Sequence, residues 1–300
     1  MTAAIIDGSR IAGEVRAEVK AQVEEIRVEY GLVPGLAVVL VGDNPASAAY
    51  VRGKERACKE VGIYTETLRP PQDVTQREML STIKELNGDP RFHGILVQLP
   101  LPPQLDEREI LEAIAPEKDA DGLHPYNMGK LLKGEAGPVP ATPAGVQQLL
   151  IRSGYSVEGK HVVICGRSNL VGKPLAALLV QKQPGANATV TVCHTGTQRL
   201  AEITRRADIL VSAAGSPDSI TADMVSEGTV VVDVGMIRVP DASTKTGYRL
   251  TGDVDFDAVK EKAAAITPVP GGVGPMTVAM LLVNTVRAAR SQALRQAHRV

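Results

Sequence analysis

His161-Val162-Val163-Ile164-Cys165-Gly166-Arg167-Ser168-Asn169-Leu170-Val171-Gly172-Lys173-Pro174 is the stretch on which the reading of the fold turns. The run from His161 to Cys165 is short and mostly apolar, the pattern of a strand covered on both faces. Gly166 follows at once, and glycine lets the backbone turn sharply. A helix opens next, with Pro174 in its first turn, where a missing N–H costs nothing. Strand, glycine turn and helix in that order start a parallel βαβ unit. Such a turn also offers unpaired amides and the positive end of a helix to a pyrophosphate. The spacing is not G-x-G-x-x-G, because Ser168 stands at the second glycine, and an ordinary strand–helix turn has the same outline.

Working outward, strands are expected at 189–193, 209–213 and 230–234, separated by helical segments at 171–182, 198–207 and 221–227. That alternation implies a doubly wound parallel sheet. Thr142 followed by Pro143 reads as an N-cap opening a helix that ends before Gly154. On the N-terminal side, Ile11, Val15, Val19, Val23 and Ile26 recur at helical spacing over 10–30. The run Leu36–Val41 ending at Gly42 reads as a buried strand, followed by a helix over 46–60 that stops at Gly62. A helix near 75–87 and a strand at 94–99 come next, the strand cut off by Pro100, Pro102 and Pro103. Asp106 caps a short helix through Ile114, and 116–141 is turn-rich without clear periodicity. A long helix is expected over about 275–297.

Three hundred residues exceed what one core usually serves, so two α/β domains are expected. Six Tyr, two Phe and no Trp leave the cores to Val, Leu, Ile and Ala, as suits buried parallel strands. The formal charge of −1 comes from 33 basic and 34 acidic residues that are interspersed, which argues against a nucleic-acid partner. MTAAIIDGSR lacks the apolar run of a signal peptide, and the helix from Met276 reaches Arg287 too soon to span a bilayer. No membrane is expected as a partner. Cys58, Cys165 and Cys193 are odd in number and unclustered, so they read as reduced thiols of a cytosolic protein with no metal site.

Dinucleotide choice is normally read at the end of the next strand, where an Asp or Glu holds the ribose of NAD. Here the chain reads Val192-Cys193-His194-Thr195-Gly196, without a carboxylate, while Arg167 can pair with a 2′-phosphate. NADP is therefore favoured, with NAD as the alternative. Ala213-Ala214-Gly215-Ser216 and Asp233-Val234-Gly235 end later strands, where ligands sit in open sheets, although turn chemistry alone accounts for Asp233. On the expected helix after Gly42, Tyr50 and Lys54 are four apart and share a face, an arrangement also common on solvated helices. A buried lysine can serve as acid, base or clamp. Gln98 ends a buried strand, where it points into a ligand crevice or caps a loop, and Asp121 lies in an Asp-Gly turn. Pro268 to Pro275 packs three Pro and three Gly into eight residues before a helix. A Tyr-x-x-x-Lys pair also suggests short-chain dehydrogenases, but there the nucleotide fingerprint precedes the pair, and here it follows.

The order of these signals is more specific than any one of them. Val41-Gly42-Asp43-Asn44-Pro45-Ala46-Ser47, with Tyr50, Val51 and Lys54 after it, resembles the bifunctional methylenetetrahydrofolate dehydrogenase/methenyltetrahydrofolate cyclohydrolase family. So do Gly94 to Pro102, Asp121-Gly122-Leu123-His124-Pro125 with Asn127 and Gly129, Gly166-Arg167-Ser168 with Val171, Gly172 and Pro174, and Pro268 to Thr277. The resemblance runs through nearly the whole chain. It implies a catalytic, folate-binding domain over 1–141 completed by the C-terminal helix at about 275–300, and an NADP-binding Rossmann domain over 142–274. A folate/NADP cleft between them and a homodimer paired through the nucleotide domains are implied as well. Position by position, Lys54 is similar to the principal catalytic group, Tyr50 to the residue that stacks on folate, Gln98 to the partner that tunes Lys54, and Asp121 to the carboxylate that holds the pterin. Val97, Leu99, Pro270, Gly271 and Gly272 correspond to substrate-binding positions. Gly166, Arg167, Ser168, Thr195 and Met236 correspond to NADP-binding positions. Ala141 stands for a frequent Cys, Thr195 for a common Ser, and Met236-Ile237 for a common Ile-Asn. The implied chemistry oxidises 5,10-methylenetetrahydrofolate with NADP and hydrolyses the methenyl product to 10-formyltetrahydrofolate. A nucleotide-binding scaffold without chemistry is the non-enzymatic alternative; its mark, loss of Lys54 or Gln98, is absent from the sequence.

Overall fold

The computed structural model describes residues 2–244 and 247–297. In chain order the elements are β1 (Ala4–Ile5), α1 (Gly8–Tyr30), β2 (Gly35–Val39), α2 (Pro45–Val61), β3 (Tyr64–Leu68), α3 (Gln76–Gly88), β4 (Gly94–Val97), α4 (Glu107–Glu112), α5 (Pro125–Lys133) and α6 (Ala141–Arg152). They continue with β5 (His161–Cys165), α7 (Gly172–Leu179), β6 (Thr189–Cys193), α8 (Leu200–Thr204), β7 (Ile209–Ser212), β8 (Val230–Asp233), β9 (Ile237–Pro240), β10 (Tyr248–Thr251), α9 (Phe256–Val259), β11 (Ala265–Ile266) and α10 (Val273–Ala297). The chain divides into two compact units, residues 1–12 with 142–277 and residues 13–141 with 278–300. Residues 298–300, the end of the expected C-terminal helix, lie outside the described residues.

The first unit holds a six-stranded sheet in the order β1-β11-β8-β7-β5-β6, parallel at every pairing. Within it Val162–Cys165 lies between Val190–Cys193 and Ile209–Ser212, and the four longer strands are the four expected from sequence. The core on one face joins Val163, Leu210, Val231 and Ile266 to Ile220 and Val254. The N-terminal residues depart from the expected boundary. Ala4 and Ile5 pair with Ala265 and Ile266, which draws residues 1–12 into this unit rather than the other. Two-residue strands carry no periodicity and could not be read in advance. The segment 221–227 forms only a short 3-10 turn at Ala222–Met224. Thr142 is not an N-cap: the helix begins at Ala141, and the Thr142 hydroxyl instead meets that of Thr277 at 2.9 Å.

The second unit is built on a three-stranded parallel sheet, β3-β2-β4, whose central strand β2 is buried along its whole length. Leu36 to Val39 pair with Gly94 to Val97, and the core over them includes Ala37, Val39, Met79, Ile83, Phe92 and Ile95. Asp106 caps α4 as expected, accepting from Glu109 N. A full capping box closes α3, Thr75 taking the Glu78 amide and Glu78 the Thr75 amide. Helix α5 lies within the stretch read as turns. Its signals were local: Pro125 at its start and Gly134 as a left-handed cap at its end.

Candidate active site and dinucleotide loop

In the second unit, α2 carries Tyr50 and Lys54 one turn apart. Tyr50 is 42% exposed and Lys54 only 8%. The Lys54 ammonium donates to Gln98 Oε1 at 3.0 Å. Gln98 donates its own Nε2 to Leu99 O at 2.8 Å, which turns the amide oxygen toward the lysine. Its backbone N–H still bonds Val39 O, so the residue sits at the carboxyl end of the sheet, where β2 and β4 stop pairing. Burial pulls Lys54 below the ordinary lysine range, against the opposing charges of Asp121 and Cys58. Burial also pushes the Asp121 carboxyl up; the Lys54 charge opposes this and Asp119 adds to it. Each group is thus driven toward its neutral form, the state in which a lysine has a lone pair to accept a proton. Cys58, one turn beyond Lys54, is pushed up to about 12 by burial and is no nucleophile.

Asp119 and Asn284 were not singled out from sequence, yet they shape the loop that carries Asp121. Asp119 takes the amides of Gly122, Leu123 and His124 and the Asn127 side chain on its two oxygens. Asn284, on α10, donates to Ala120 O and Val139 O at 2.9 and 2.8 Å. An Asp-x-x-Gly turn was the only local sign of the first, and nothing near Asn284 pointed to the second. Val97 is buried in the core beside Val39 and Ile95, so any contact it makes with a ligand is through its backbone; Leu99 is half-buried.

In the first unit the strand–turn–helix is tightly closed. Gly166 has φ +141°, and a Cβ there would overlap Ala213 O; a Cβ on Gly172 would overlap Gly166 O. Those are the two places where a dinucleotide turn needs glycine, one for the bend and one for close helix packing. Ser168, at the middle position, accepts from Val171 N through its hydroxyl, which closes the turn just before α7. Arg167, Ser168 and Thr195 are exposed, the last in a turn where Thr197 Oγ1 accepts from His194 N. Met236 packs on Gly274, and residues 233–236 and 268–274 line one small cavity. Ser9 N donates to Gly271 O at 3.0 Å, so the first turn of α1 abuts the Pro270-Gly271-Gly272 loop. The residues present fit a dinucleotide: a glycine turn closed against the helix, exposed Arg167 beside it, and no carboxylate at the end of β6.

Residues 6–121 match the model of the tetrahydrofolate dehydrogenase/cyclohydrolase catalytic domain, and residues 140–293 that of its NAD(P)-binding domain. The chain belongs to this family. It is 57% identical over 291 residues to a bifunctional protein FolD of Dehalococcoides mccartyi, covering 97% of this chain and 98% of that one. A bifunctional protein FolD of Syntrophus aciditrophicus is also 57% identical, over 98% of this chain and 99% of that one. Among solved structures, the FolD methylenetetrahydrofolate dehydrogenase/cyclohydrolase of Campylobacter jejuni superposes with a TM-score of 0.90 at 46% identity, over 96% of this chain and 99% of that one. A Trypanosoma brucei FolD complexed with NADP cofactor and inhibitor gives 0.92 at 41%, over 97% and 99%. As a member of the tetrahydrofolate dehydrogenase/cyclohydrolase family carrying both of its domains, the chain is an NADP-linked dehydrogenase and a cyclohydrolase.

Proposed function

We propose that this enzyme oxidises 5,10-methylenetetrahydrofolate to the methenyl cation and hydrolyses that cation to 10-formyltetrahydrofolate, with Lys54 as the proton-carrying group. The observation that carries the assignment is the buried Lys54 Nζ–Gln98 Oε1 hydrogen bond beside Asp121. NADP, when bound, supplies the acceptor for the hydride that leaves the one-carbon bridge. A fixed positive charge next to the forming cation would oppose that step, and a lysine whose charge is suppressed by burial avoids it. In hydrolysis, water attacks the methenyl carbon. The Lys54 lone pair takes one water proton and returns it to N5 as the N5–carbon bond breaks, while the second proton leaves the hydroxyl for solvent as the carbonyl of the N10-formyl group forms. Gln98 Oε1 holds one Lys54 N–H and so aims the lone pair. Tyr50 offers its half-exposed ring to the folate and Asp121 its carboxyl to the pterin. Arg167, Ser168 and Thr195 receive the 2′-phosphate side of NADP, and Met236 and the Pro270-Gly271-Gly272 loop border the reacting end.

Replacing Lys54 by Met keeps the length of the side chain and removes the proton carrier. Decay of the methenyl absorbance should then fall to the uncatalysed rate, while NADP binding persists. Near-normal hydrolysis in the variant would sink the assignment. We further infer a cytoplasmic homodimer. Three buried thiols in no disulfide support a reducing compartment, and among the described residues no helix is long and apolar enough to cross a membrane. The edge strand β6, on which Val192 is exposed, supports self-association.

A further inference from the structure

Two carboxylates outside the catalytic group are buried in the first unit. Asp253 is fully buried and Asp233 nearly so. Among the described residues neither meets a cation; their recorded partners are backbone amides and a hydroxyl. Asp253 accepts from Ser212 Oγ at 3.1 Å and Ala214 N at 2.7 Å on one oxygen, and from Ser216 N at 3.1 Å on the other. Asp233 accepts from Gly235 N at 2.8 Å and Asp253 N at 3.0 Å on one oxygen, and from Val254 N at 2.9 Å on the other. Burying an acid without a cation is costly unless donors replace its water, and each of these carboxylates has three. Burial raises the Asp233 carboxyl to about 6, while the amides of Asp253 and Val254 pull it back down.

The positions of these donors give the pair its meaning. Strand β7 ends at Ser212 and β8 at Asp233, and the loops just past them are where ligands sit in a parallel sheet. Asp253 binds the loop 213–216, and Asp233 binds Gly235 in the loop that carries Met236. Asp233 N also donates to Thr267 Oγ1 at 2.8 Å, the residue before Pro268. The loops 213–216 and 234–236 therefore meet on one pair of carboxylates, and Thr267 is tied in through the Asp233 backbone. The close approach is built in: a Cβ on Gly235 would crowd the Asp253 carboxylate, and one on Gly252 would overlap that of Asp233.

We propose that Asp233 and Asp253 are positioning residues for hydride transfer, a bracket that fixes loops 213–216 and 234–236 and so sets how the nicotinamide end of the dinucleotide is held. The proposal rests on the NADP reading of this unit. Hydride transfer depends steeply on the placement of the two carbons, whereas hydrolysis at Lys54 uses no nicotinamide. Loosening the bracket should separate the two activities.

The test compares Asp253→Asn and the milder Ser212→Ala in the full-length enzyme. An amide at 253 turns one oxygen into a donor facing backbone N–H groups, and Ser212→Ala removes one hydroxyl bond while keeping the charge. NADPH binding, followed by the fluorescence of its dihydronicotinamide, should weaken ~10-fold or more in Asp253→Asn and a few-fold in Ser212→Ala. Dehydrogenase kcat/KM should fall at least as far, while hydrolysis of methenyltetrahydrofolate supplied directly stays within about twofold of the parent. Unchanged NADPH binding in both variants overturns the proposal, and so does a fall of both activities together. If Asp253→Asn does not fold, Ser212→Ala decides by the same two readings. The fluorescence reading needs no folate, so a failure of the proposed reaction would show separately.

Discussion

Lys54 and Asp121 are pulled in opposite directions by the same burial, and their mutual influence has a definite sign. The Asp121 charge raises Lys54, so it works against the desolvation that lowers it. If neutral Lys54 takes the water proton, the hydrolysis rate falls on the acid side as Lys54 becomes charged. Removing the Asp121 charge takes away the influence that raises Lys54, so the acid limb of kcat moves to lower pH in Asp121→Asn. The KM for folate is expected to rise in the same variant, because it removes the carboxyl proposed to hold the pterin. A pH profile of methenyl hydrolysis under saturating substrate reads this directly, and a limb that moves up in pH would contradict the role given to Lys54. These residues are proposed from the sequence through their order along the chain, because Tyr50 and Lys54 at four-residue spacing occur on many solvated helices. Gln98 was legible for a plainer reason, a polar residue at the end of an apolar run. Asp253 was not, since its partners are two backbone amides and the Ser212 hydroxyl, all over thirty positions away in sequence, and backbone amides carry no side-chain signature.

The joint between β2 and β4 depends on His93, which stands just before β4. His93 N donates to Gly35 O at 2.8 Å, and its Nδ1 accepts from Gly35 N at 3.0 Å. A ring nitrogen that accepts must be unprotonated. Burial, helped by the Lys118 charge, lowers this histidine to about 4 from 6.5. Above 6.5 neither the folded nor the unfolded chain protonates it, and it adds no pH dependence. Between 6.5 and 4 the unfolded chain binds the proton and the folded chain does not, so stability is lost as pH falls, by up to ~3 kcal/mol at the lower end. Replacing His93 by Asn keeps an acceptor without titration. Urea unfolding from pH 7 to 4 should therefore show a flatter acid decline in His93→Asn, and an unchanged slope would remove His93 from the account. Elements with a long apolar run or a clear cap, such as β2, β4, β5, α1 and α4, were readable from sequence. Strand β3 hid because Thr65, Glu66 and Thr67 give an edge strand a polar face, and the β9–β10 hairpin because its strands are four residues each and half-exposed. Strands β1 and β11 take their meaning only from pairing with each other and with β8.

At the scale of the whole molecule, the six-stranded sheet has two edges that differ in kind. One is β1, two residues long, a length that offers little to a partner strand. The other is β6, five residues from Thr189 to Cys193 with neither proline nor charge, and Val192 on it is exposed. Ile151, Leu170 and Val180 of the same unit are also exposed apolar side chains. Natural sheets protect such an edge with lysine, proline or a cover, and β6 itself carries neither lysine nor proline. A formal charge of −1 gives two copies little reason to repel each other. A second copy paired about a twofold axis would cover both edges at once with the same patch. Light scattering on the eluting peak should accordingly give about twice the chain mass of 31.7 kDa. Placing a lysine in the strand by Val192→Lys should shift the peak to a single chain with its far-ultraviolet circular dichroism retained, because the change lies on the surface and leaves the core of the sheet intact. A parent enzyme that elutes as a single chain would refute the dimer, and a Val192→Lys variant that stays at the double mass would move the interface away from β6.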